Sequence, residues 1–340
     1  MSIENKLTYL DGTKDAIKQA IIDKGVSVTE EDTFRSYATK IGEIQGGSGG
    51  NIPNGVLNLT EGVSDVFNLK NEFKEIKFGN LDNVINMDNC FSNWSEIKNI
   101  TLPDLPNLTS MSYCFYECSS LTSITLPSSL PNVTNMSECF YNCSSLSSIT
   151  LPELPSLEKI DGCFESCASL TSITLPDLPN LTSMSTCFYN CSSLTSITFP
   201  TSLPNVTNIK FCFNGCRSLT SLILPIIPKV TDMRACFASC SSLKSLTLLD
   251  LPKVTDMGAC FASCSSLQNL SIGNINPNIT TLTNWGVATC TALTIDSLVN
   301  IMNALPTITN TRTCTIGATN LSKLSPEQLA IGTSKGWSIN

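Results

Sequence analysis

The sequence predicts an α/β solenoid of about eight coils. Each coil of 24–25 residues carries a short strand and a short helical turn, with a helical hairpin before the array and an α/β cap after it. Three observations carry this expectation. The pair Cys-Phe recurs at 90, 114, 139, 163, 187, 212, 236 and 260, in steps of 24 or 25. A second Cys follows four positions later in seven of the eight coils, with Trp94 in its place in the first. Around these pairs the unit reads approximately L-P-x-L-P-x-L-T-x-M-x-x-C-F-x-x-C-x-S-L-x-S-I-T.

Within one coil, Met136, Cys139, Phe140, Cys143 and Leu146 fall at the spacings of one face of a short helical turn. Leu146, Ile149 and Leu151 follow as a strand with its large apolar residues inward, and Pro152, which has no amide donor, ends it. The longer coils carry their extra residue in the Leu-Pro loop, as in Leu126-Pro127-Ser128-Ser129-Leu130-Pro131, which marks that segment as surface. A single coil cannot bury its apolar side alone, so coils must stack. The repeated Cys read as small buried hydrophobes rather than as disulfides or a metal cluster, since the two of a coil point the same way one helical turn apart. The Asn-x-Thr triplets at Asn107, Asn132, Asn180 and Asn205 read as products of the repeat.

The ends differ from the array. In 1–45, Ile17 and Ile21 belong to one helical stripe, and Phe34, Tyr37 and Ile41 to a second. Two such helices are too little to fold alone, so this segment is expected to attach the chain to another subunit and to make it a homo-oligomer. Residues 46–50, Gly-Gly-Ser-Gly-Gly, read as a flexible linker. Residues 51–89 read as a divergent opening coil, with Leu69, Phe73, Ile76 and Phe78 over the end of the core, and 90–289 as the solenoid. In 290–340, Leu298, Ile301, Met302 and Leu305 form a helical stripe. Arg312 to Ile316 reads as a strand, and Ser325-Pro326-Glu327-Gln328 as a capping box.

Composition narrows the function. Of 340 residues, 14% are charged and the net charge is −8, which disfavours nucleic acid as a partner. No apolar run is long enough to insert in a membrane, and the N-terminus does not read as a signal peptide. With no His, the triad nucleophiles and His-containing metal sites are excluded. No pair of carboxylates sits in a cleft-like setting; Glu153, Glu158 and Asp161 fall on outer loops. The chain therefore reads as non-enzymatic, with no cofactor and no metal.

Two rows are candidate contact surfaces. Residues following the Phe face outward, which places Tyr116, Tyr141 and Tyr189 in a broken aromatic stripe suited to sugar or protein. On the strand side Thr125, Thr150, Thr174 and Thr198 form a hydroxyl row that would suit an extended glycan. Charge is uneven: residues 101–170 hold seven acidic residues and one basic, and 205–264 hold six basic and three acidic.

The M-x-x-C-F-x-x-C-x-S-L core resembles the Cys-containing leucine-rich repeats of bacterial surface proteins. The stretches Leu7–Leu10 and Thr33–Ile41 resemble an N-terminal segment of bacteriophage tail and fibre proteins, and Ile295–Leu305, Gly317–Leu324 and Lys335–Trp337 resemble the end of repeat proteins from the same setting. Together they imply a phage virion appendage, assembled in a bacterial host cytoplasm. It would be held to other virion proteins through 1–45 and would display the solenoid to a host-surface glycan or protein. A bacterial cell-surface adhesin and an intracellular interaction scaffold are the alternatives.

Overall fold

The computed structural model describes residues 56–61, 75–279 and 282–340. Strands β1 (Val56–Glu61) and β2 (Glu75–Asn80) pair in parallel ahead of the repeats. The repeats contribute β3 (Asn99–Thr101), β4 (Ser123–Thr125), β5 (Ser172–Thr174), β6 (Ser196–Thr198), β7 (Ser221–Ile223), β8 (Ser245–Leu248) and β9 (Asn269–Ile272). All their pairings are parallel and couple equivalent residues of successive coils, as in Ile100 with Ile124 and Leu246 with Leu270. A second line of parallel bridges runs unbroken through Asn86, Ser110, Asn135, Lys159, Ser183, Asn208, Asp232 and Asp256.

The core is a set of columns. Each coil buries the same positions, for example Val133, Met136, Cys139, Phe140, Cys143, Leu146 and Ile149. The eight Phe rings from Phe91 to Phe261 stack with centroids 5.2–6.0 Å apart and planes within 11°. Phe78 meets Phe91 edge-on at one end and Trp285 meets Phe261 edge-on at the other. Of the opening-coil residues, Phe78 packs on this core as expected; Leu69 and Phe73 lie outside the described residues.

The Cys-Phe segment corrects the expected helical turn. It is a pair of successive tight turns, in which Cys139 N–H donates to Met136 C=O and Cys143 N–H to Phe140 C=O. The third residue of each turn has positive φ: 52° at Glu138 and 53° at Asn142. The pattern holds in every coil. It places fourteen non-glycine residues between 48° and 62°, along with Gly162 and Gly215. Positive φ costs about 1–2 kcal/mol per residue. It is tolerated because it turns alternate peptide groups along the array. Met136, Glu138, Phe140 and Asn142 donate to the C=O groups of Lys159, Asp161, Cys163 and Glu165 one coil on, at 2.7–2.9 Å. A two-turn helix here would leave four N–H and four C=O groups without partners between packed coils. An unsatisfied buried group costs about 1–3 kcal/mol, so the turn pair wins.

This geometry also accounts for the second Cys. Its Sγ–H donates to the Phe C=O of the preceding coil, as from Cys118 to Phe91 at 3.0 Å and from Cys143 to Phe115 at 3.1 Å. All 17 Cys are buried. The Asn-x-Thr triplets are explained too. Asn107, Asn132, Asn180 and Asn205 donate their side-chain amides to the loop carbonyls of Asp82, Pro106, Pro155 and Pro179. The Thr two residues on donates to the preceding coil as well, as from Thr109 to Ile85.

The strand side is less regular. Residues 147–150 form no strand, and β6 does not pair with β7. Two breaks follow a loop with the extra residue, 126–131 and 199–204; a third, between 148–150 and β5, follows the ordinary loop 151–155. The bond that Thr122 N–H makes to Lys98 C=O has no counterpart from Ser147 to Thr122 or from Thr220 to Thr195. One added residue at the corner moves the next strand beyond bonding reach.

After the array come a 3-10 turn (Val287–Thr289) and helix α1 (Ile295–Ala304), which buries Leu298, Ile301 and Met302 as expected. The open donors of β9 are covered by α1: Leu270 N–H reaches Ser297 Oγ and Ile272 N–H reaches Asn300 Oδ1. Strand β10 (Arg312–Cys314), helices α2 (Ala318–Leu321) and α3 (Pro326–Thr333), and strand β11 (Trp337–Ile339) complete the chain. Both bonds of the capping box at Ser325 and Gln328 are made, and β11 pairs with β10.

Burial pushes the thiols of Cys90, Cys118, Cys167, Cys216 and Cys314 up to about 12. It pushes Cys114, Cys139, Cys187, Cys212 and Cys236 well above the ordinary 9.0. These thiols stay protonated when folded at a pH where the unfolded chain releases the proton. Their contribution to stability is complete below 9.0 and is lost as pH rises toward the folded values, at about 1.4 kcal/mol per thiol per pH unit. Circular dichroism is expected to show cooperative alkaline unfolding within about one to two units above that value. Iodoacetamide is expected to leave the native thiols unmodified at neutral pH and to label them after denaturation. Thiol labelling in the native state would refute the buried columns.

The positive-φ turns yield a second expectation. Ser263→Gly relieves an exposed position at φ 61° and is expected to raise stability by about 0.5–1 kcal/mol in urea melts. Gly215→Ala should destabilise, because the added Cβ meets the Asn190 side chain at a positive-φ position.

Candidate functional site

With the coil interior filled, the outer rows are what the repeats present. The hydroxyl row lies where expected: Thr125, Thr150, Thr174 and Thr198 are exposed, each with an inward Ile beside it. Thr174 and Thr198 are partners across the β5–β6 pair, and Thr125 pairs with Thr101. Spacing along such a row is set by the strand separation of about 4.8 Å. The row ends at Ile223, which takes the Thr position and is 70% exposed. Ile226 and Leu249, in the Leu-Pro loops near it, are also exposed. This apolar group was not foreseen; the one signal was Ile in place of Thr in the S-I-T triplet.

On the turn side Tyr116 and Tyr141 are brought together, stacked at 4.6 Å with planes 7° apart. Tyr189 is separated from them by the coil that carries Glu165 in the row. All three are half-buried rather than fully outward. The more exposed aromatics are Tyr113 and Phe211, which precede the first Cys. They stand at the positive-φ position that a helical reading of the segment hides. Tyr113 packs on Tyr116 at 5.7 Å and donates its hydroxyl to Glu138 at 3.0 Å. Phe211 meets Tyr189 edge-on.

The turn-side aromatics sit in a negative setting. The Glu138 hydrogen bond, with burial, holds the Tyr113 phenol above its ordinary value. Burial and the charges of Glu117 and Glu138 do the same for Tyr116, and burial with Glu165 for Tyr141. Burial raises the Glu165 carboxyl itself. The basic half is partly neutralised: Arg234 lies between Asp232 at 2.7 Å and Asp256 at 3.3 Å. Glu153 and Glu158 are exposed and Asp161 half-buried; the Asp161 carboxylate takes the Ser185 N–H at 2.8 Å, a structural use.

Among the described residues no group of three or more Cys, Asp or Glu is placed to hold a metal ion. Among them, too, no helix is long and apolar enough to cross a membrane. The attachment residues Ile17, Ile21, Phe34, Tyr37 and Ile41 lie outside the described residues.

The tyrosine stack can be tested directly. A double-mutant cycle of Tyr116→Ala and Tyr141→Ala, read by urea unfolding, is expected to give a coupling of about 0.5–1.5 kcal/mol. A coupling near zero would show that the two rings act independently.

Comparison with solved structures finds a leucine-rich repeat protein of T. pallidum, 21% identical, covering 61% of this chain and 82% of that one, with a TM-score of 0.39. A leucine-rich repeat protein of Bacteroides ovatus is 19% identical over 79% of this chain and 81% of that one, with a TM-score of 0.37. A leucine rich cell surface protein of Faecalibacterium prausnitzii is 20% identical over 75% and 82%, with a TM-score of 0.35. Comparison with curated proteins finds no match. No comparison supports the virion part of the sequence resemblance. The repeats themselves match a family described as BspA type Leucine rich repeat region, in six copies over residues 60–186 and 161–294. The chain belongs to that family of leucine-rich-repeat solenoid proteins.

Proposed function

We propose that this chain is a non-enzymatic adhesion protein of a bacterial surface. In this reading an eight-coil solenoid, closed by residues 290–340, presents its strand face to a host-surface glycan or protein. The observation that carries it is the exposed row Thr125, Thr150, Thr174 and Thr198 on a repeat of this family, while the Asn and Thr of the Asn-x-Thr triplets are spent on bonds between coils. Asn107, Asn132, Thr109 and their equivalents bond the neighbouring coil. The Thr of the S-I-T triplet has no such duty and repeats at a surface, so its regularity is available to a ligand.

The change from a virion appendage to a cell-surface adhesin follows from the family of the repeats. Residues 1–45 then serve as the attachment and self-association segment of a surface protein. Binding requires no cofactor.

The test is display of the full chain on a non-adherent bacterial strain, followed by retention on immobilised mucin. Display is expected to raise retention clearly above that of the bare strain. Thr125→Glu with Thr174→Glu should abolish the gain, and Tyr141→Ala should preserve it. Retention equal to the bare strain would sink the reading, and loss with Tyr141→Ala alone would move the contact to the turn face.

A further inference from the structure

The strand face opens at its first interruption. A notch of about 280 Å³ opens between two coils at Ile124–Ser128 and Thr150–Pro152. It lies at the first interruption of the sheet, after the loop lengthened at Ser128-Ser129. In three other coils the bond that closes this edge is made, by Leu102 N–H to Thr125 C=O, Leu175 N–H to Thr198 C=O and Leu224 N–H to Thr247 C=O; it is also missing from Leu151 to Thr174 and from Phe199 to Ile223. The equivalent bond from Leu126 to Thr150 is missing. The notch therefore holds a backbone N–H at Leu126 and a backbone C=O at Thr150, neither spent on the sheet, with the Thr125 and Thr150 hydroxyls beside them. Its walls are apolar: Leu126 and Leu151 are half-buried, and Pro127 and Pro152 buried. Polar groups left without partners favour a ligand that supplies them, and apolar walls favour one with a C–H face.

We infer that this notch is a binding subsite for one pyranose unit of a neutral glycan. The inference rests on the adhesion reading for the choice of a glycan. A pyranose carries donors and acceptors around its rim and C–H groups on its faces, which matches the two kinds of surface present. Nothing in the notch is charged, so a neutral sugar fits better than an acidic one. The second interruption does not offer the same set. There Phe199 and Ile223 replace Leu126 and Thr150, so the hydroxyl of the second strand is lost and an apolar side chain stands in the opening.

The test uses the full chain and three neutral probes, cellotetraose, maltotetraose and mannotetraose, followed by ligand-observed saturation-transfer NMR. At least one is expected to bind. Deleting Ser128 restores the 24-residue spacing of the other coils. It should close the sheet, protect the Leu126 and Ser147 amides from hydrogen exchange and weaken binding by about tenfold or more. Thr150→Val, which keeps the shape and the fold, should weaken binding as well. Deleting Thr201 at the second interruption should leave binding unchanged. Failure of all three probes to bind, or equal binding by the Ser128 deletion and by Thr150→Val, would overturn the subsite. Retention on mucin without binding of any tetrasaccharide overturns the subsite and leaves the adhesion reading standing. Tetrasaccharide binding without retention does the reverse.

Discussion

The structure depends on the backbone hydrogen bonds that the paired turns send from coil to coil. Each coil gives up helical geometry at its Cys-Phe segment and accepts two residues in the left-handed region. In return, four N–H groups in each of the first seven coils reach carbonyls of the next, while the intervening N–H groups close the turns locally. Every buried backbone group of this segment thereby has a use. The arrangement repeats only if each coil places the same atoms at the same height. That requirement explains why the period tolerates variation in the Leu-Pro loop and none between the first Cys and the second.

The side-chain columns follow from that register. Phe must stack because its own N–H and the C=O of the residue before it are rungs of the ladder, which holds successive rings nearly parallel. The second Cys is small enough to sit against the preceding Phe carbonyl and still donate to it. A larger apolar residue would fill the space without satisfying that oxygen. In the first coil the position is taken by Trp94, buried against Phe91.

The same regularity makes exceptions informative. A single extra residue at 126–131 leaves the turn ladder intact and breaks the strand ladder beside it, because the loop joins the strand directly and the turns only at a distance. The strand face is thus divided into short sheets, and its hydroxyl row is interrupted by an opening with unspent backbone groups. For a repeat protein whose surface is otherwise uniform, such a break is where a ligand finds a distinct set of contacts.

Much of this was legible in the chain itself. The period of 24–25 residues, the inward Leu, Met, Cys and Phe, the outward Thr row and the capping box at Ser325 all follow from residue order, because each depends on local spacing or on repetition. The backbone of the Cys-Phe segment was not legible. Spacings of three and four place residues on one face of a helix, and two consecutive tight turns produce the same spacing, so apolar periodicity cannot separate them. What separates them is the neighbouring coil, whose carbonyls take the N–H groups that a helix would keep. For the same reason the exposure of Tyr113 and Phe211, the Tyr116–Tyr141 stack and the notch at Leu126 and Thr150 were settled only by tertiary structure. The sequence by itself determined that the coils stack and which side chains fill them; the contacts between coils decided the backbone shape of each one and where the surface opens.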